Sequence, residues 1–149
     1  MELDKIIITN SEKETFEQGN IFAEVLVAGD IVLFTGDLGA GKTEFIKGIC
    51  DYFGVEELVT SPTFTIINQY FATNEDAVLV IYHLDLYRIK TEKELVEIGL
   101  SECLEDAQSI KLIEWAEKAS SYYSDQVYRI AITLAEDDSN KRTINITKR

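Results

Sequence analysis

The chain has 149 residues, with 14 Lys+Arg against 27 Asp+Glu and a formal net charge of −13. Its length fits a single domain over residues 1–149, and a 46% hydrophobic content suffices for a packed core, which excludes global disorder. Only Lys141, Arg142, Lys148 and Arg149 form a basic stretch, and it lies at the tail. Without a basic stripe to neutralise phosphates, tight autonomous binding of nucleic acid is not expected, nor is adsorption to an anionic membrane.

No apolar run approaches the roughly 18 residues that span a membrane. Met1-Glu2-Leu3-Asp4-Lys5 lacks the form of a signal peptide, so a cytoplasmic location is expected. Cys50 and Cys103 have neither metal nor redox spacing and read as reduced thiols. A zinc site or a Ser/His triad would have only His83 to use.

Lys5 to Thr9 reads as a short strand. Ser11-Glu12-Lys13-Glu14 has the capping-box form. Behind it Phe16, Gly19, Phe22, Ala23 and Leu26 recur at helical spacing and predict an amphipathic helix over 12–27. Ile31-Val32-Leu33-Phe34 is a continuous apolar run suited to a strand buried on both faces, and a helix over 42–53 follows, stopped by Gly54. Thr63 to Phe71 and Ala77 to Tyr82 read as strands around an Asn74-Glu75-Asp76 turn. A second capping box, Thr91-Glu92-Lys93-Glu94, opens a short helix carrying Leu95 and Ile98 and closed by Gly99. Ile110 to Ile113, Val127 to Leu134 and Thr143 to Thr147 complete the strands, the last two joined through Asp138-Ser139-Asn140. The pattern predicts an α/β protein with a sheet that is not wholly parallel.

The chemistry concentrates in Gly36-Asp37-Leu38-Gly39-Ala40-Gly41-Lys42-Thr43, which fits G-x-x-x-x-G-K-[ST] between a predicted strand and a predicted helix. Glycines let the backbone amides of such a loop face phosphate oxygens, and the following helix start adds a favourable dipole. Lys42 is placed to reach the β/γ-phosphates and the Thr43 hydroxyl to ligate Mg²⁺. Asp85 ends the stretch Val78–Asp85 like a Walker B carboxylate, and Glu114 ends Ile110–Glu114 in the same way. Ligands in doubly wound sheets sit beyond the C-terminal strand ends, so one acid could serve Mg²⁺ and the other the attacking water. Ser61-Pro62-Thr63 holds the single proline in a loop whose Thr63 hydroxyl is either a γ-phosphate sensor or part of a plain turn. Trp115 reads as a core residue or an interface anchor, His83 as a packed or hydrogen-bonded strand residue without a catalytic role. The acidic stretch 92–117 reads as a solvated face.

The ordered set Gly36–Thr43, Ser61-Pro62-Thr63-Phe64-Thr65, His83-Leu84-Asp85-Leu86-Tyr87-Arg88 and Ile113-Glu114-Trp115 resembles the TsaE (YjeE) family, small bacterial ATPases of tRNA threonylcarbamoyladenosine synthesis. Departures are Glu44 where a second Thr is usual and Ala116 where Pro often follows Glu-Trp. The resemblance implies a P-loop NTPase-like three-layer fold with a mixed, largely parallel sheet. It also implies ATP and Mg²⁺ as ligands and two partner proteins, TsaB and TsaD, the latter transferring the threonylcarbamoyl group. By matching position, Asp37, Leu38, Gly39, Ala40, Gly41, Lys42 and Thr43 would hold the nucleotide. Thr43, Asp85 and Glu114 would serve the metal, and Lys42, Thr63, Asp85 and Glu114 the reaction. Trp115 would lie beside the site, with Ser11 and Lys141 or Arg142 as further nucleotide contacts. A small-molecule kinase and a non-hydrolysing nucleotide sensor stay open, although no Arg-rich lid is present. No arginine lies near the P-loop in sequence, so slow turnover by the isolated chain is expected.

Overall fold

The computed structural model describes residues 3–73 and 79–148. Seven strands form one sheet: β1 (Leu3–Thr9), β2 (Ile31–Thr35), β3 (Ile67–Phe71), β4 (Val80–Asp85), β5 (Ser109–Glu114), β6 (Tyr128–Leu134) and β7 (Arg142–Lys148). Their spatial order is β1-β7-β6-β2-β5-β4-β3. The four inner strands β6, β2, β5 and β4 are mutually parallel; β3 pairs antiparallel with β4 and β7 antiparallel with β6, while β1, antiparallel to β7, runs in the direction of the inner strands. This is the mixed P-loop NTPase-like sheet that the sequence implies, with hairpins β3–β4 and β6–β7. The Asn74-Glu75-Asp76 turn and Ala77-Val78 lie outside the described residues.

Helices α1 (Glu12–Phe22) and α2 (Lys42–Tyr52) cover one face. On β2, Val32 and Phe34 point into that layer beside Phe22, Phe45, Ile49 and Phe53. Leu33 points the other way, toward Leu84, Leu95, Leu100 and Ala116 on the face covered by α3 (Glu92–Glu97), α4 (Leu100–Glu105) and a 3-10 segment, Ala116–Tyr122. Burial of alternate residues on both faces explains why this strand reads as an unbroken apolar run. Two glycines set the spacing of α1 on α2. A Cβ on Gly19 would fall 2.1 Å from the Phe45 carbonyl oxygen, and one on Gly48 would fall 2.0 Å from that of Phe16.

The structure corrects several boundaries. The helix predicted over 12–27 ends at Phe22 and tightens into a 3-10 turn over Ala23–Val25. Asp30 then accepts the Val27 amide at 2.9 Å and Gly29 takes φ 99°, which fixes a tight turn where the apolar pattern continues. The strand predicted from Thr63 begins only at Ile67. Pro62 starts a turn closed by its carbonyl accepting from the Ile66 amide at 2.6 Å, with Ile66 at φ 71°. The apolar run read over 77–82 belongs to a strand that spans Val80–Asp85 among the described residues and ends at Asp85, as the Walker B-like stretch implies, because β4 pairs with β5 along its whole length. Helix α4 and the 3-10 segment had no periodic signal.

The parallel register places the site. Asp85 pairs with Glu114, and Glu114 pairs with Phe34, two residues before Gly36. Three strand ends therefore stop together at one edge, beside the start of α2.

Candidate nucleotide site

The loop from Gly36 to Gly41 turns β2 into α2. Gly36 is fixed at φ 142°, and a Cβ there would meet the Ile132 carbonyl oxygen at 2.4 Å. Gly41 takes φ 107° immediately before the helix, a conformation L side chains rarely adopt. Residue types at these positions are thus dictated by backbone shape. Ala40 is buried in the core and its amide donates to the Asp37 carbonyl at 3.0 Å, closing the loop on itself.

A cavity of about 440 Å³ opens over this loop. Its floor carries Leu38, Gly39, Gly41, Lys42 and Thr43, and its far wall carries Ser61, Thr63, Asp85 and Glu114. Lys42 is only 4% exposed. Its Nζ donates to the Gly36 carbonyl and stands 3.9 Å above the centre of the Trp115 ring. Burial lowers its pKa from the ordinary lysine value, while Glu114, Glu117, Asp85 and Asp37 pull it back upward.

The two acids are held differently. Asp85 Oδ2 accepts from Ser61 Oγ at 2.9 Å and Thr63 Oγ1 at 3.0 Å, and its Oδ1 accepts the Tyr87 amide at 2.9 Å. Glu114 Oε1 accepts from Thr43 Oγ1 at 3.4 Å, and Oε2 lies 2.6 Å from His83 Nε2. Thr63 therefore reaches the site by leashing Asp85. Trp115, at φ 55°, turns its ring between Lys42 and the Tyr87 ring, whose centroid is 5.0 Å away. The half-buried indole is thus a wall of the cavity, neither core nor interface anchor alone.

Arg142 lines the cavity from β7, with its Nε 3.5 Å from where a Gly41 Cβ would stand. An arginine from the tail thus lies beside the P-loop, which spacing in the sequence conceals. Ser11 sits back from the cavity as the N-cap of α1, accepting the Glu14 amide at 3.1 Å. Glu12 and Thr15, which sequence reasoning did not select, line the cavity in its place. Asp37 and Ala40 belong to the loop without lining the wall. Tyr87 and the contact of His83 with Glu114 were also missed. Alternation along β4 offered a signal for the latter, because His83 and Asp85 share a sheet face.

The donors facing the cavity beside Thr43 are hydroxyl and carboxylate oxygens, the hard ligands that suit Mg²⁺. Among the described residues no cluster of three or more His, Cys, Asp or Glu could by itself hold a metal.

Fold and loop together define a P-loop nucleotide-binding protein. A family model for the threonylcarbamoyl adenosine biosynthesis protein TsaE matches residues 9–144. The tRNA threonylcarbamoyladenosine biosynthesis protein TsaE of Rickettsia bellii (strain RML369-C) is 39% identical over 146 residues, 97% of this chain and 96% of that protein. The protein of the same name from Bacillus subtilis (strain 168) is 38% identical over 135 residues, 91% of this chain and 81% of the relative. The crystal structure of Bacillus subtilis YdiB superposes with a TM-score of 0.78 at 33% identity, covering 99% of this chain and 87% of that one. The chain belongs to the TsaE family, and its role lies in tRNA threonylcarbamoyladenosine biosynthesis.

Proposed function

We propose that the chain is an Mg²⁺-dependent ATPase of the cytoplasm whose hydrolytic cycle sustains tRNA threonylcarbamoylation by TsaD and TsaB. The observation that carries this reading is the convergence of Lys42, Thr43, Asp85 and Glu114 on one cavity at aligned strand ends. Loop amides and Lys42 bind the phosphates, with Lys42 exchanging its Gly36 carbonyl for a phosphate oxygen. Arg142 adds a second cation from the β7 side. Thr43 and Asp85 would hold Mg²⁺, which when bound neutralises charge developing on the phosphates. Glu114 presents Oε1 to the cavity, where it can orient a water and take its proton. Thr63, tied to Asp85, links the proline loop to the phosphate end.

Purified protein should release inorganic phosphate from ATP slowly, and TsaB and TsaD together should accelerate it. Glu114→Gln should retain ATP binding while hydrolysis falls about 10²-fold or more, the usual share of a general base. Phosphate appearing on an acceptor molecule instead of in solution, or Glu114→Gln turning over like the parent, would contradict the ATPase assignment.

A further inference from the structure

His83 is the one histidine of the chain and is fully buried between Tyr70 and Glu114. Its Nε2 lies 2.6 Å from Glu114 Oε2, and its Nδ1 lies 3.2 Å from Tyr70 Oη. A carboxylate can only accept, so Nε2 carries the hydrogen, and Nδ1 is the acceptor for the single hydrogen of the Tyr70 hydroxyl. Both ring nitrogens are thereby satisfied inside the protein. With its one hydrogen directed at Nδ1, Tyr70 Oη accepts from Asn68 Nδ2 at 3.5 Å, and that amide also reaches the Thr60 carbonyl at 3.4 Å. Thr60 immediately precedes the Ser61-Pro62-Thr63 loop, whose two hydroxyls hold Asp85.

We propose that His83 is a positioning residue for Glu114. It anchors Oε2 so that Oε1 alone faces Thr43 and the cavity, and Tyr70 and Asn68 extend that anchor to the proline loop. The loop then leashes both acids, Asp85 through Ser61 and Thr63, and Glu114 through Asn68, Tyr70 and His83. A carboxylate free to rotate would spend part of its time with neither oxygen aimed at the reacting water. Orientation of this kind commonly carries roughly a 10- to 100-fold effect when a supporting hydrogen bond is removed. The role in turnover rests on the ATPase reading, while the hydrogen-bond chain itself does not.

Two measurements separate these. Selective ¹⁵N labelling of the single imidazole reports its tautomer directly. The Nε2–H form, with a ring proton that exchanges slowly, is expected, and the Nδ1–H form would overturn the proposal whether or not the protein hydrolyses ATP. In single-turnover assays His83→Ala should lower the hydrolysis rate at least 10-fold. ATP affinity, read from Trp115 fluorescence, should stay within about twofold of the parent. His83→Gln, whose amide can donate where Nε2 did, should recover most of the rate. Tyr70→Phe tests the outer link with a milder change, and carries the test should His83→Ala not fold. It should slow hydrolysis several-fold at unchanged affinity. Parental rates in His83→Ala or Tyr70→Phe, or losses that follow ATP affinity instead of rate, would overturn the proposal. Absence of hydrolysis in the parent protein would instead refute the ATPase reading and leave the tautomer result standing.

Discussion

Asp85 and Glu114 show what a single residue reveals in sequence and what it conceals. Each was legible as a carboxylate closing an apolar run, because strand ends carry that local mark. Their separate supports were not legible, since Ser61 and Thr63 on Asp85 and His83 on Glu114 are contacts made between distant segments. The cysteines are the plainer case. Burial pushes the Cys50 thiol up from 9.0 to about 12 and the Cys103 thiol up to about 11. An unfolded thiol therefore loses its proton first, so each contributes stability that is complete below about pH 9 and is lost as pH rises toward those values. Native protein at pH 8 should react slowly with a thiol reagent, and denatured protein should release two equivalents promptly. Fast native labelling of Cys50, which is 1% exposed, would contradict the fold around α2.

At the scale of elements, the helix pair α1–α2 connects sequence to site. The capping-box pattern at Ser11 announced α1, where Ser11 takes the Glu14 amide and the Glu14 carboxylate reaches back to the Asn10 amide, and the first turn brings Glu12 and Thr15 to the cavity. Ser11→Ala should lower stability by about 1 kcal/mol in thermal or urea melts. The glycines of α1 and α2 look unfavourable for helices when read locally, yet they permit backbone contact between the two. Gly48→Ala should cost about 1–3 kcal/mol through overpacking against the Phe16 carbonyl, despite the better helix propensity of alanine. An unchanged or raised melting temperature would show that the helices do not pack this closely. Sequence periodicity overran the end of α1 because Val25, Leu26 and Val27 continue the apolar pattern, while the backbone stop depends on Asp30. It also missed α4 and the segment after Trp115, which are too short to repeat a period.

For the whole molecule, charge and function divide between global and local effects. A net charge of −13 opposes any polyanion at a distance, while amides of the P-loop and Lys42 act within a few ångströms. Arg142, one of four basic residues in the tail, is turned into the cavity and is lost to any outward patch. Free tRNA should therefore bind the isolated protein weakly at physiological salt, with no saturation in the low micromolar range. Tight binding with a steep salt dependence would reveal a cationic surface that the charge distribution does not suggest.

The proposed cycle makes ATP hydrolysis at this site sustain threonylcarbamoylation of tRNA. The most direct test is depletion of the protein in its host, followed by mass spectrometry of tRNA nucleosides. Threonylcarbamoyladenosine should fall, recover on return of the parent protein and stay low on return of Glu114→Gln at equal abundance. An undiminished level with the protein gone, or full recovery with Glu114→Gln, would contradict it.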